Sequence, residues 1–235
     1  MNFKRHYIIL LMLAATAGAC KKDNYDPPSA DIKGRIVYKG EPIGVEYAQV
    51  SYQLYQYGFG KTGPIEDFLT QEGGYSQKLF NGEYKFIIPN GQGPFVWRKT
   101  ASGAPDSVTI NVQGSSELDI EVTPYYMIRQ PNLTASGGKV TATFKIDKVI
   151  TDASARDIEE VNLYINKTTF VSGASSNNIE SARLGGADIT DPNNVTLQLT
   201  IPTLVPAQPY VYARIGLKIA GVEDRLFSPI VKISL

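Results

Sequence analysis

Gln77-Lys78-Leu79-Phe80-Asn81-Gly82-Glu83-Tyr84-Lys85-Phe86 is the stretch whose reading decides the fold class. Apolar and polar side chains alternate on both sides of Asn81-Gly82, which is strand periodicity. Asn-Gly between two such runs is a strong short-range signal for a hairpin with a primed turn, because both residues tolerate positive φ. The pattern predicts that the two arms pair with each other and fix the register of the surrounding sheet.

The same period extends in both directions. Ile32, Gly34, Ile36 and Tyr38 share one face of a first strand, and Lys39-Gly40-Glu41-Pro42 supplies its turn. Val50, Tyr52 and Leu54 share the next inward face. Later strands pass through Tyr84, Phe86 and Ile88, then Val108, Ile110 and Val112, then Leu118, Ile120 and Val122. Polar residues at the alternate positions make each strand half-buried.

Pro124 to Gln130 leads into a second region, where Val140, Ala142, Phe144 and Ile146, then Val161, Leu163 and Ile165, then Val195, Leu197, Leu199 and Ile201 line inward faces. This is again a sandwich pattern. Asp152 to Glu160 is expected to form one or two helical turns. Lys167 to Asn194, rich in Ser, Asn and Gly, is long for a structureless loop. It reads either as a short strand with turns or as a binding loop. The fold class is therefore all-β, with two tandem β-sandwich domains at 31–123 and 124–235.

Ahead of these domains, Lys4 and Arg5 precede an apolar run from Tyr7 to Leu13, and small residues lead to Cys20, the three zones of a cleaved export signal over residues 1–19. The run is too short to span a bilayer as a mature helix. Small residues directly before a cysteine resemble the lipobox of bacterial lipoproteins. That resemblance implies acylation of Cys20, whose two diacylglycerol chains give stable anchoring. Residues 20–30, polar and carrying Pro27-Pro28, form a short tether. Lys21-Lys22-Asp23 resembles surface-export signals of Bacteroidota lipoproteins, implying an outer-membrane, outward-facing location.

Composition narrows the chemistry. His6 is the one histidine and Cys20 the one cysteine. After signal removal the body holds no imidazole and no free thiol, which removes Ser-His-Asp and Cys-His catalysis and His-ligated zinc. Carboxylate-pair chemistry, a Ser-Lys arrangement or an oxygen-ligand calcium site stay open. The 23 basic and 23 acidic residues balance, without a basic stripe, so nucleic acid is not an expected partner. No cofactor is expected.

Gly34-Arg-Ile-Val, Gly40-Glu-Pro42, Ala48-Gln-Val50, Gly74-Tyr75 and Gly82-Glu-Tyr84 occur in the order seen in carboxypeptidase-regulatory-like, transthyretin-like β-sandwiches, which this part resembles. Leu204-Val-Pro206 followed by Tyr210 resembles the approach to the sixth strand of fibronectin type III and immunoglobulin-like domains, where a Tyr caps the corner. Arg214 falls one place later than that family's Arg, so a bulge or another topology stays open. With Gly91-Gln-Gly-Pro-Phe95 and Asp119-Ile-Glu-Val-Thr-Pro-Tyr-Tyr126, nearly the whole chain is similar to a Bacteroidota family of two-domain lipoproteins of unknown function. Members are often encoded beside SusC/SusD-type glycan-uptake systems. The resemblance implies a membrane-anchored protein with SusC/SusD-type outer-membrane partners, and it carries no functional residues over.

Candidate binding residues follow from alternation. If Val50, Tyr52 and Leu54 point inward, then Gln49, Ser51, Gln53, Tyr55 and Tyr57 point outward. Aromatic rings stack on the CH faces of sugars while amides bond their hydroxyls, so this face suits a glycan ligand, and Phe59 extends it. A neighbouring strand covering the face is the plainer alternative. Trp97, approached through Gly91-Gln-Gly-Pro, reads as a loop-tip residue with Arg98 beside it, or as an inter-strand plug. Asp106-Ser107-Val108 matches a short O-glycosylation motif of Bacteroides-like exported proteins, which makes Ser107 the candidate site. Glu66-Asp67, Glu159-Glu160 and Glu223-Asp224 are poor catalytic pairs, because neighbours on a strand face opposite ways.

The leading expectation is a non-catalytic surface lipoprotein that assists glycan binding or uptake. The alternatives are a structural spacer or docking module for an outer-membrane partner, and a carboxylate-based glycoside hydrolase.

Overall fold

The computed structural model describes residues 26–58 and 63–235. The signal segment, Cys20, Lys21-Lys22-Asp23 and Phe59 lie outside the described residues. The first domain contains β1 (Ala30–Tyr38), β2 (Glu41–Pro42), β3 (Ser51–Gln56), β4 (Ile65–Phe68), β5 (Gly74–Leu79), β6 (Gly82–Ile87), β7 (Phe95–Val96), β8 (Val108–Val112), β9 (Ser115–Glu117), β10 (Ile120–Glu121) and β11 (Thr123–Pro124). β1 is the hub of one sheet, antiparallel to β5 and β2 and parallel to β9 and β10. The opposing sheet runs β4-β3-β6-β8, and β7 pairs with β11.

The expected hairpin at Asn81-Gly82 does not form. β5 pairs with β1, whereas β6 pairs with β3 and β8, so the turn carries the chain from one sheet to the other. The two arms face each other across the core instead of lying side by side: the Tyr75 and Phe86 rings are 5.0 Å apart and Phe86 stacks on Tyr52 at 5.2 Å. A type I′ turn needs positive φ at both central residues, and only Gly82 has it here. Asn81 instead spends its side-chain carbonyl on the Gly114 N–H at 2.9 Å.

Val50, Tyr52 and Leu54 do point inward, fully buried with Phe86, Ile88, Ile110 and Val112. The run through Leu118 is different from its alternation, because Leu118 is exposed and the strand breaks into β9 and β10 around it. Its carbonyl presses on Gly34, where an added Cβ would lie 1.8 Å from the Leu118 oxygen. The same carbonyl accepts the Tyr75 hydroxyl at 2.5 Å. Gly34 is thus a close-approach glycine that lets one chain cross another.

The second domain contains β12 (Tyr126–Ser136), β13 (Lys139–Lys148), β14 (Ile158–Asn166), β15 (Glu180–Gly185), β16 (Val195–Thr200), β17 (Tyr210–Ile219), β18 (Leu226–Phe227) and β19 (Val231–Ser234). One sheet is β12-β13-β16; the other is β15-β14-β17, with β18 and β19 along the far edge of β17. The chain is thus all-β, as two tandem sandwiches. Asp152 to Asp157 holds no helical turn, since the Asp152 carboxylate accepts both the Ser154 N–H at 2.8 Å and the Ser154 hydroxyl at 2.6 Å, an Asx-type turn that competes with helix. Within Lys167 to Asn194 lie β15 and a 3-10 turn at Gly186–Asp188, the short strand with turns that is one of the two readings of this segment.

Tyr210 does not build a corner. Its ring packs edge-on to Tyr212 at 5.7 Å, with Lys232 Nζ 3.9 Å above it. Along β17 the odd positions Val211 to Ile219 are buried in the core, so Arg214 sits on the outer face of its sheet. It is nevertheless 1% exposed, because the first domain covers it. Its guanidinium donates to the Ser228 carbonyl at 2.8 Å and across the seam to the carbonyls of Val45 at 3.1 Å and Gln71 at 2.6 Å. The Phe227 ring lies 4.3 Å beneath it. The Phe227 N–H donates to the Gly44 carbonyl at 2.9 Å, so first-domain backbone caps the exposed edge of β18.

Candidate functional site

The outward face of the β4-β3-β6-β8 sheet is built by pairing. Tyr55 on β3 lies opposite Lys85 on β6, and Lys85 lies opposite Thr109 on β8. Lys85 Nζ donates to Thr109 Oγ1 at 2.6 Å and pairs with Glu83 at 3.0 Å, so its ammonium is held on the sheet. The Tyr55 hydroxyl donates to Gln53 Oε1 at 3.0 Å, and Gln53 in turn donates to Glu66 at 3.3 Å. Tyr57, just past the strand, is 86% exposed, and Tyr55 is 38% exposed. With Gln56, Lys85, Ile87 and Ser107 they line a shallow groove of about 410 Å³. Ser107 is half-buried there, and its N–H donates to the Asp106 side chain at 2.8 Å.

Trp97 is not at an exposed loop tip. It is 5% exposed, its indole N–H donates to the Asp106 carbonyl at 2.8 Å, and its ring lies 6.1 Å from Phe86. Phe86 points into the core while Lys85 points out, so Trp97 and the Tyr55–Tyr57 groove occupy opposite sides of one sheet. The glycines before it act by folding the chain back over the core: Gly91 and Gly93 have φ of 85° and 80°. A Cβ on Gly93 would sit 2.4 Å from the Phe95 ring, so the loop is packed as tightly as its sequence permits. Arg98 lies on the Trp97 ring at 5.7 Å.

On that second side the two domains leave a cleft of about 510 Å³ between residues 89–93, 95–97, Lys99, Tyr125, Ser154, Arg156 and 221–223. Its floor is Phe95, Val96 and Trp97, and its rims carry Lys99 from one domain and Arg156 and Glu223 from the other. Below the rim, the buried Asp224 carboxylate accepts the Gly93 N–H at 2.6 Å. Burial pushes the Asp224 carboxyl above the usual range, and the Gly93 bond only partly opposes this.

The described residues match two halves of one family: "Protein of unknown function (DUF3823) N-terminal domain" over residues 30–123 and "Domain of unknown function (DUF3823_C)" over 126–232. A DUF3823 structure from Parabacteroides merdae is 32% identical, with a TM-score of 0.76 over 89% of this chain and 100% of its own. The chain belongs to the DUF3823 family. Another DUF3823 structure, from Bacteroides ovatus, is 30% identical, with a TM-score of 0.75 over 88% of this chain and 99% of its own. A Bacteroides uniformis protein called "putative carbohydrate binding protein" is 20% identical, with a TM-score of 0.66 over 88% of this chain and 100% of its own, a likeness of fold. No protein of curated function matches the chain.

In this DUF3823 chain each adjacent acidic pair is divided between two surroundings. Glu160 is buried while Glu159 is exposed. Burial alone would raise the Glu160 carboxyl, but the bonds from Arg225, at 2.7 Å, and Arg183 outweigh it and hold the group below the usual range. Asp224 is buried while Glu223 faces the cleft. Glu66 bonds Gln53 and Asp67 bonds Gln77. Among the described residues no three His, Cys, Asp or Glu side chains gather where they could hold a metal. The sequence reading missed Arg156 and Lys99 and weighed Glu223 only as half of an acidic pair, because the cleft exists only where two domains meet. The one available signal was that ligand clefts favour domain junctions.

Proposed function

We propose that this chain is a non-catalytic carbohydrate-binding protein, held on the outer membrane facing outward by lipid on Cys20 and working beside a SusC/SusD-type uptake system. The observation that carries the reading is the exposed Tyr55–Tyr57 groove. Two aromatic rings stand on a polar sheet face beside the Lys85 ammonium and the Gln53 amide, whose oxygen accepts the Tyr55 hydroxyl. Rings cover the CH faces of a pyranose, and amide and ammonium groups bond its hydroxyls. The Bacteroides uniformis protein of the same fold, by its name, supports the same ligand class. Isothermal titration with neutral polysaccharides tests it: Tyr57→Ala and Tyr55→Ala should each weaken binding about fivefold to tenfold. Equal affinity in the wild type and both variants would count against the groove.

The Arg214 seam favours a second reading, a rigid spacer that docks on an outer-membrane partner. Two sandwiches tied by buried hydrogen bonds transmit position without bending at the junction. Recovery of the partner from native membranes, with and without added glycan, separates the two readings. A docking module keeps its partner in both conditions.

A further inference from the structure

We infer that the cleft between the two domains is a second binding site, specific for sugars that carry a carboxylate, such as uronic acid units of an oligosaccharide. The site is separate from the Tyr55–Tyr57 groove and does not rest on it, since the two lie on opposite sides of the β4-β3-β6-β8 sheet. At about 510 Å³ the cleft falls within the range of small-molecule sites.

Its charges select the ligand. Lys99 and Arg156 reach it from different domains, and neither meets a carboxylate among the described residues. A sugar carboxylate bridging them would receive charge-assisted bonds, in Arg156 from a fork that suits its two oxygens. Glu223 stands on the same rim as an acceptor. A carboxylate there repels a bare polyanion and accepts bonds from hydroxyls, so the site asks for an acid and hydroxyls in one molecule. Val96, partly exposed on the floor, offers an apolar surface to the ring of the sugar.

The walls are set before any ligand arrives. Asp224 ties Gly93 to the second domain, the Tyr125 N–H donates to the Pro94 carbonyl at 3.3 Å, and the Tyr126 hydroxyl donates to the Arg156 carbonyl at 2.6 Å. Lys99 lies in a bridge with Pro105. Such preorganisation lowers the cost of binding.

The test is calorimetric titration of the full chain in detergent micelles with tetragalacturonate, a hyaluronate tetrasaccharide, neutral galactotetraose and inorganic sulfate. At least one of the two acidic oligosaccharides should bind, with affinity that falls as salt rises, while galactotetraose and sulfate bind at least about tenfold more weakly. Lys99→Ala and Arg156→Ala should each weaken the acidic ligand about tenfold or more. Lys33→Ala, which removes an exposed charge outside both sites, should leave that affinity unchanged. Failure of both acidic probes, equal binding in the Lys99 and Arg156 variants, or sulfate binding as tightly as the sugar acid would each overturn the inference. Neutral glycan binding that depends on Tyr57 would survive any of those results, so the two sites fail separately.

Discussion

Arg214 donates to the Gln71 carbonyl at 2.6 Å from the opposite domain, and this buried contact joins the two sandwiches. Burial pushes the guanidinium down to a pKa of about 9, with Glu72 and Glu46 pulling it back up, so it is charged at neutral pH. Three carbonyls and the Phe227 face compensate the charge for its lost water.

Arg214→Ala leaves the Val45 and Ser228 carbonyls buried without this donor, at about 1–3 kcal/mol for each such group, while the Gln71 carbonyl keeps the Val45 N–H at 3.1 Å. Calorimetry should show a loss of at least about 2 kcal/mol and a split of the unfolding endotherm into two transitions as the domains decouple. Arg214→Lys, which lacks the planar fork, should fall between. A single endotherm with wild-type midpoint in Arg214→Ala would show that the seam is held elsewhere.

Asp224 sets a pH dependence in the buried contact beneath the rim of the cleft. Its folded pKa lies above the unfolded value of 3.8, so between the two the folded state binds more protons. Stability from this group is therefore fully present below that unfolded value and is lost as pH rises through the folded pKa. Asp224→Asn keeps an acceptor for Gly93 and removes the buried charge. It should match or exceed the wild-type midpoint at pH 7 and lose that advantage in acid, whereas Asp224→Ala should cost about 1–3 kcal/mol. Urea midpoints measured across pH read both.

Glu160 acts with the opposite sign. Arg225 and Arg183 hold its folded pKa below the unfolded 4.5 despite its burial, so its contribution is present above that value and is lost as pH falls through the folded pKa. Glu160→Gln should cost about 1–3 kcal/mol at pH 7. The difference should close in acid. A gap that persists at the lowest pH at which the chain stays folded would show that packing, not charge, is responsible.

Gly34→Ala puts a Cβ 1.8 Å from the Leu118 oxygen, and backbone must move. The expected cost is about 1–3 kcal/mol, typical of overpacking. Loss of the Tyr75 to Leu118 bond should raise the ring's solvent exposure, which tyrosine fluorescence quenching would report. By contrast Tyr57→Ala, at a site 86% exposed, should change stability by no more than about 0.5 kcal/mol. That makes its binding defect readable.

Alternation alone settled which side of β3 each residue takes. Tyr52 and Leu54 are buried and Tyr55 is exposed because successive side chains must point to opposite faces, a constraint local to the strand. The all-β class follows from the same local rule, whereas short strands such as β4 and β18 and the strand within Lys167 to Asn194 carry too few alternating residues to be read from it. Partners are another matter. Asn81-Gly82 marked a reversal correctly, yet whether Leu79 and Tyr84 pair within one sheet or face each other across two depends on β1 and β8, distant in the chain. Trp97 next to glycines is equally compatible with a loop tip and a plug, and the space beneath Phe86 chose the plug. The burial of Arg214 on the outer face of β17 and the rims of the cleft carry no local signal. Their burial and placement arise only when one domain packs on the other, so only the tertiary structure could decide them.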